Sequence, residues 1–102
     1  MTTLHTVNKS PFSHSELESC LEICRDGDAI LLIENGVFAA KAGNVWHQRL
    51  AETITKGIPV YALKNDLIAR GLPAEQCEPI QLVDYAGFVE LTCHHERTQS
   101  WY

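Results

Sequence analysis

Ala29-Ile30-Leu31-Leu32-Ile33 is an unbroken apolar run, and four of its five side chains are branched. It leaves no alternate position for water, so it suits a strand covered on both faces, as inside a parallel sheet. Outward from this run, Leu4 to Val7 is a short strand and Ser13 to Arg25 a helix. On the other side Glu34-Asn35-Gly36 turns the chain, and Val37 to Ala42 fits strand or helix equally. Asn44 to Lys56 is a helix with Trp46, Leu50 and Ile54 spaced by four; Gly57 closes it, and Pro59 to Leu63 is the next strand. Asn65 caps a short helix that Gly71 ends, and Ile80 to Val83 is another strand. Asp84 caps a helix running to about Thr92, and Gln99 to Tyr102 adds a final strand. This alternation predicts an α/β fold with a mostly parallel sheet and helices on both faces. Such sheets place their chemistry beyond the strands' carboxyl ends, here Asn8–Phe12, Glu34–Gly36, Lys64–Asn65 and Asp84.

A chain of 102 residues is expected to form one domain over residues 1–102, with one modest core. It is 45% hydrophobic and 21% charged, which is ordinary for a globular protein. The net charge is −5, and the eight Lys and Arg residues are scattered singly, which argues against a nucleic-acid-binding patch. Met1-Thr2-Thr3-Leu4-His5 has no basic segment leading into an apolar one, and no apolar run approaches the ~20 residues of a membrane span. The expected location is the cytoplasm, where Cys20, Cys24, Cys77 and Cys93 are free thiols.

The first helix carries a Ser13/Glu16 capping box, with Phe12 placed to pack on Leu17 as a staple. At about 100° per residue, Leu17, Cys20, Leu21 and Cys24 share one face. A cysteine there is ordinarily a small buried hydrophobe, and periodicity does not rank Cys20 and Cys24 for exposure. Cys20 lies beyond reach of the helix dipole, and Glu16, one turn away, would raise its pKa. A reactive Cys20 therefore needs an environment supplied by the rest of the fold or by another subunit. The two cysteines are no C-x-x-C pair, and i, i+4 on a rigid helix suits a disulfide poorly. Cys24 is expected to be mainly packing, with Cys77 in the Pro73–Pro79 loop and Cys93 near a helix end.

Cys93-His94-His95-Glu96 resembles a metal cluster, but adjacent side chains diverge and a closed zinc site needs four convergent ligands. A helix end, where histidines meet free carbonyls, is the expected setting; no metal or cofactor is expected. Dinucleotide, P-loop and serine-nucleophile motifs are absent. His5 to Phe12 leaves a strand and enters a helix, a place for an anion or for ordinary turn chemistry. Trp101 and Tyr102 suit either an interface or an edge strand packed on its own core.

The chain resembles the DsrH/TusB family of sulfur-relay proteins over nearly all its length. The resemblance rests on Leu4-His5-Thr6-Val7-Asn8-Lys9-Ser10-Pro11-Phe12, Leu31-Leu32-Ile33-Glu34-Asn35-Gly36-Val37, Val60-Tyr61-Ala62-Leu63, Asp66-Leu67-Ile68-Ala69-Arg70-Gly71, Val83-Asp84-Tyr85-Ala86-Gly87-Phe88-Val89, Leu91-Thr92 and Gln99-Ser100-Trp101, in that order. It implies a DsrE-like fold and assembly with DsrE/TusD-like and DsrF/TusC-like subunits, two copies of each, into a hexamer. Such complexes relay sulfur as cysteine persulfides towards a DsrC/TusE-like acceptor, with the main accepting cysteine on the DsrE/TusD-like subunit. The TusB branch is associated with transfer-RNA wobble-uridine thiolation and the DsrH branch with sulfur oxidation. DsrH-type members carry a cysteine in the first helix, and Cys20 falls on that position, so Leu17-Glu18-Ser19-Cys20-Leu21 points to the DsrH branch.

Two readings follow. In the first, Cys20 attacks a sulfane sulfur, holds it as a persulfide and passes it on. In the second, the chain completes the oligomer and a partner does the chemistry.

Overall fold

The computed structural model describes residues 2–102; Met1, the first residue of the Met1–His5 stretch in which no targeting pattern is expected, lies outside it. Five strands, β1 (Thr3–Val7), β2 (Ala29–Leu32), β3 (Val60–Leu63), β4 (Gln81–Val83) and β5 (Arg97–Trp101), form one sheet in the order β4-β3-β2-β1-β5. Every neighbouring pair is parallel. All four residues of β2 are buried, as the opening apolar run requires.

The helices are α1 (Glu16–Ile23), α2 (Val45–Thr55), α3 (Lys64–Ala69) and α4 (Tyr85–His94). Three successive connections step the sheet in one direction, from β1 to β4, and the fourth returns past them to β5. With a single right-handed crossover sense, the first three helices lie on one face and α4 on the other. The packing agrees: Leu17, Leu50 and Leu67 meet Val7, Ile30, Leu32, Val60 and Ala62, while Phe88 and Leu91 meet Leu4, Ala29 and Leu31. Among the described residues, no helix is long and apolar enough to cross a membrane.

Three local expectations change. Residues 10–14 form a turn of their own, with the Ser13 and His14 N–H groups bonded to the Ser10 carbonyl. This delays α1 to Glu16. The capping box does not form; Ser13 instead pairs with His14 at 2.8 Å, and Phe12 is 59% exposed, so it is no staple. Of the ambiguous Val37–Ala42 stretch, residues 37–40 complete a 3₁₀ helix over Glu34–Ala40, while Lys41 is its extended C-cap and Ala42 lies beyond it. Asn65 lies inside α3, whose N-cap is Leu63.

The Asp84 cap forms as expected, and Asn44, read only as the first residue of its helix, caps that helix as well. Asn44 accepts from the His47 N–H at 2.8 Å, and Asp84 from the Gly87 N–H at 2.8 Å. Asn44→Ala should lower stability by about 1 kcal/mol in chemical denaturation, the usual cost of an orphaned first-turn donor. A change below a few tenths would mean that water replaces the cap at no cost.

Candidate functional site

Alternation along β1 sends Leu4 to the α4 side of the sheet and Val7 to the α1 side. His5, two residues from Val7, shares the α1 side and is buried. Asp28, just before β2, is its neighbour. The Asp28 carboxylate accepts from the Thr3 N–H at 3.0 Å, the Arg25 N–H at 3.1 Å and His5 Nε2 at 3.0 Å. On the other side of the ring, Trp101 at the end of β5 donates its indole N–H to His5 Nδ1 at 3.0 Å. An indole N–H can only donate. Nδ1 therefore accepts, Nε2 carries the hydrogen, and the ring is held between two partners. A second proton would have to go to Nδ1 and would displace Trp101.

Both cysteines of α1 meet this histidine. Cys20 is 0% exposed in the α1-side core. Cys24 is the C-cap of α1, with φ −55° and ψ 141°, and is half-buried. Because Cys24 has already left the helix, its Sγ lies 3.7 Å from that of Cys20. The ligand-bearing atoms of His5, Cys20 and Cys24 all lie within 4.8 Å of one another. Two thiols so placed share one proton most easily. The Cys20 S–H lowers the Cys24 thiol to about 6; burial opposes this, and His5 assists. Cys20 is pushed up, first by the Cys24 thiolate and then by burial. The imidazole's proton affinity rises, chiefly through Cys24, against burial and with help from Asp28.

Beside the cluster, a groove of about 590 Å³ is lined by His5, Ile23, Arg25, Asp28, Arg97 and Trp101. It runs along edge strand β5, away from the carboxyl ends where sequence placed the chemistry. At those ends the loops tie to one another instead: Glu34 N–H to Asp66 at 2.6 Å, and Arg70 Nε–H to Asn35 at 2.9 Å. A second cleft, about 510 Å³, lies there between Phe12, Phe38 and Leu72 and is largely apolar.

Cys20 is thus brought to Cys24, and Cys24 is a member of the cluster, not simply packing. Cys77 is buried and Cys93 exposed, and neither belongs to the cluster. His94 and His95 bond through Nδ1 to the Glu90 and Leu91 carbonyls, the helix-end setting expected for them. Among the described residues, His5, Cys20 and Cys24 are a trio close enough to ligate a soft metal ion. His5 would first have to release Trp101 or Asp28, and a closed site would need a fourth ligand. In the sequence His5 stood out only as the first residue of the His5–Phe12 segment, and Asp28 not at all; the local signal for a titrating group was a histidine inside an apolar strand segment. Trp101 packs on its own core and binds His5, the edge-strand alternative.

Comparison with known proteins adds the relationship. The family profile described as "DsrH like protein" matches residues 9–98. The chain is 40% identical to Protein TusB of Escherichia coli K12 over 98 residues, covering 96% of this chain and 99% of that protein. It is 37% identical to Protein TusB of Pectobacterium carotovorum over 99 residues, with the same coverages. Among solved structures, the ychN protein of E. coli superposes with a TM-score of 0.78 at 17% identity, covering 98% of this chain and 99% of that one. Protein Tm0979 of Thermotoga maritima gives 0.64 at 29% identity, covering 87% and 88%.

Proposed function

The chain belongs to the DsrH/TusB family, and from that premise we propose that it is one cytoplasmic domain, residues 1–102, serving as a subunit of a hetero-oligomeric sulfur relay for transfer-RNA wobble-uridine thiolation. The observation that carries this is the end-to-end likeness to TusB proteins. It favours thiolation over sulfur oxidation, the role to which the first-helix cysteine had pointed. The partners are TusD-like and TusC-like chains, two copies of each with this one, and a TusE-like acceptor. Tyr85 and Val89, one turn apart on α4, are both exposed and give apolar surface that such partners would cover. Within this chain, the thiol pair of Cys20 and Cys24 beside His5 is the element fitted to hold sulfur as a persulfide.

The burial of Cys20 favours a second reading, in which the chain completes the oligomer and the TusD-like partner alone bears sulfur. Co-expression with TusD-like and TusC-like chains should give one complex with two copies of each by native mass spectrometry. After treatment with a sulfane-sulfur donor, sulfur should map to this chain as well as to the TusD-like one. Sulfur on the partner alone would select the second reading, and a monodisperse monomer that ignores both partners would sink the relay assignment.

A further inference from the structure

We propose that Cys24, not the buried Cys20, is the sulfur-accepting atom of this chain, with the Cys20 thiol hydrogen-bonded to its sulfur and His5, held by Asp28 and Trp101, as a positioning residue. This deepens the sulfur-relay reading and rests on it.

Three observations carry it. Cys24 is the more accessible of the two thiols, because it stands where the chain leaves α1, whereas Cys20 is 0% exposed. The Sγ–Sγ separation of 3.7 Å lets the Cys20 S–H donate to a Cys24 thiolate. The residues on either side of Cys24, Ile23 and Arg25, line the groove along β5, together with Arg97 and the ring of His5. Two guanidinium groups at that groove favour an anionic sulfur donor. The reverse assignment would place a thiolate in the apolar core, where burial opposes charge.

The donor class is a persulfide, R–S–SH. The Cys24 thiolate attacks the outer sulfur, and the donor's S–S bond breaks as the new one forms. R–S⁻ leaves, and Cys24–S–SH keeps the proton of the outer sulfur. The sulfane sulfur changes thiol with no net oxidation or reduction. Onward transfer is the same step reversed in role: an acceptor thiolate attacks the outer sulfur and Cys24 leaves as a thiolate, again stabilised by the Cys20 S–H. A thiol held at low pKa leaves fast, which suits a relay better than a store.

The test uses the full chain and alkylation by iodoacetamide across pH, with each cysteine followed by peptide mass mapping. Cys24 should react with a midpoint near 6, and Cys20 at least tenfold more slowly at neutral pH. Cys20→Ala should raise the Cys24 midpoint by about 2 pH units, towards the ordinary thiol value of about 8.5. Cys20→Ser, which restores a donor and refills the space, should recover part of that shift. The midpoint is the readout because a higher-pKa thiolate is intrinsically more nucleophilic, which masks changes in rate. Inorganic polysulfide should then add one sulfur atom to Cys24, removable by reductant and absent from Cys24→Ser. A Cys24 midpoint near 8.5, sulfur mapped to Cys20, or a Cys20–Cys24 disulfide as the product would each overturn the proposal. If Cys24 passes these tests but the chain fails to assemble with TusD-like and TusC-like partners, the relay reading falls and the chemical assignment stands.

Discussion

Gly36→Ala should cost about 3 kcal/mol or more, a large part of the stability of a domain this size. A Cβ at Gly36 would fall on the Val7 carbonyl oxygen, with the Val7 carbonyl carbon next to it. Neither can turn aside as a flexible side chain would. Val7 ends β1, between β2 and β5, and its carbonyl already accepts the Ile33 N–H at 3.0 Å. The 3₁₀ helix must therefore lift off the sheet, which opens the packing of Val37, Ala39 and Ala40 in the core. Thermal unfolding should fall by roughly 12 °C or more, from about 4 °C per kcal/mol at this chain length. A midpoint within about 3 °C of the parent would mean that the segment moves freely and that the close approach is not structural.

Asp28→Asn should be comparably damaging, for an electrostatic reason. The carboxylate accepts three hydrogen bonds from Thr3, Arg25 and His5 in a buried site. An amide keeps one acceptor oxygen and turns an NH₂ group towards the remaining donors. Leaving buried donors unpaired costs about 1–3 kcal/mol each, so the variant should lose roughly 3 kcal/mol. Burial alone would raise the Asp28 pKa, but His5 and the backbone N–H groups of Arg25 and Thr3 outweigh it and hold it below its ordinary value. A folded-state pKa below the unfolded one adds stability above pH ~4 and loses it as pH falls through the folded value. The parent should therefore lose stability towards acid more steeply than Asp28→Asn in denaturation series between neutral and acid pH. Parallel curves would show that Asp28 does not bear the charge assigned to it. Freed from Asp28, the His5 ring should also change the Cys24 titration, linking this variant to the thiol measurements.

Most elements could be read from the chain because their causes are local. The run at Ala29–Ile33 declares a strand buried on both faces, and Asn44, Gly57 and Asp84 mark helix ends through groups within a few residues of themselves. The family relationship was legible for a similar reason: its matching segments are scattered through the whole chain in order. The start of α1 was not legible. A turn at residues 10–14 used the same serine-rich segment that a capping box would have used.

The reactive cluster was set by the tertiary structure. His5 and Asp28 are 23 residues apart in the chain, and His5 and Trp101 are 96 apart. His5 meets Asp28 because β1 pairs with β2, and meets Trp101 because the last strand returns to pair with the first, registers that no periodicity encodes. The ranking of the two cysteines was decided in the same way. Sequence spacing put Cys20 and Cys24 on one helical face as equals, and a continuous helix would have kept them so. The chain leaves α1 at Cys24, so one sulfur stays in the core and the other is only half-buried, with His5 within reach of both. Caps and hydrophobic periods depend on neighbours within a turn or two, whereas proton sharing between thiols depends on which one the assembled core excludes from water.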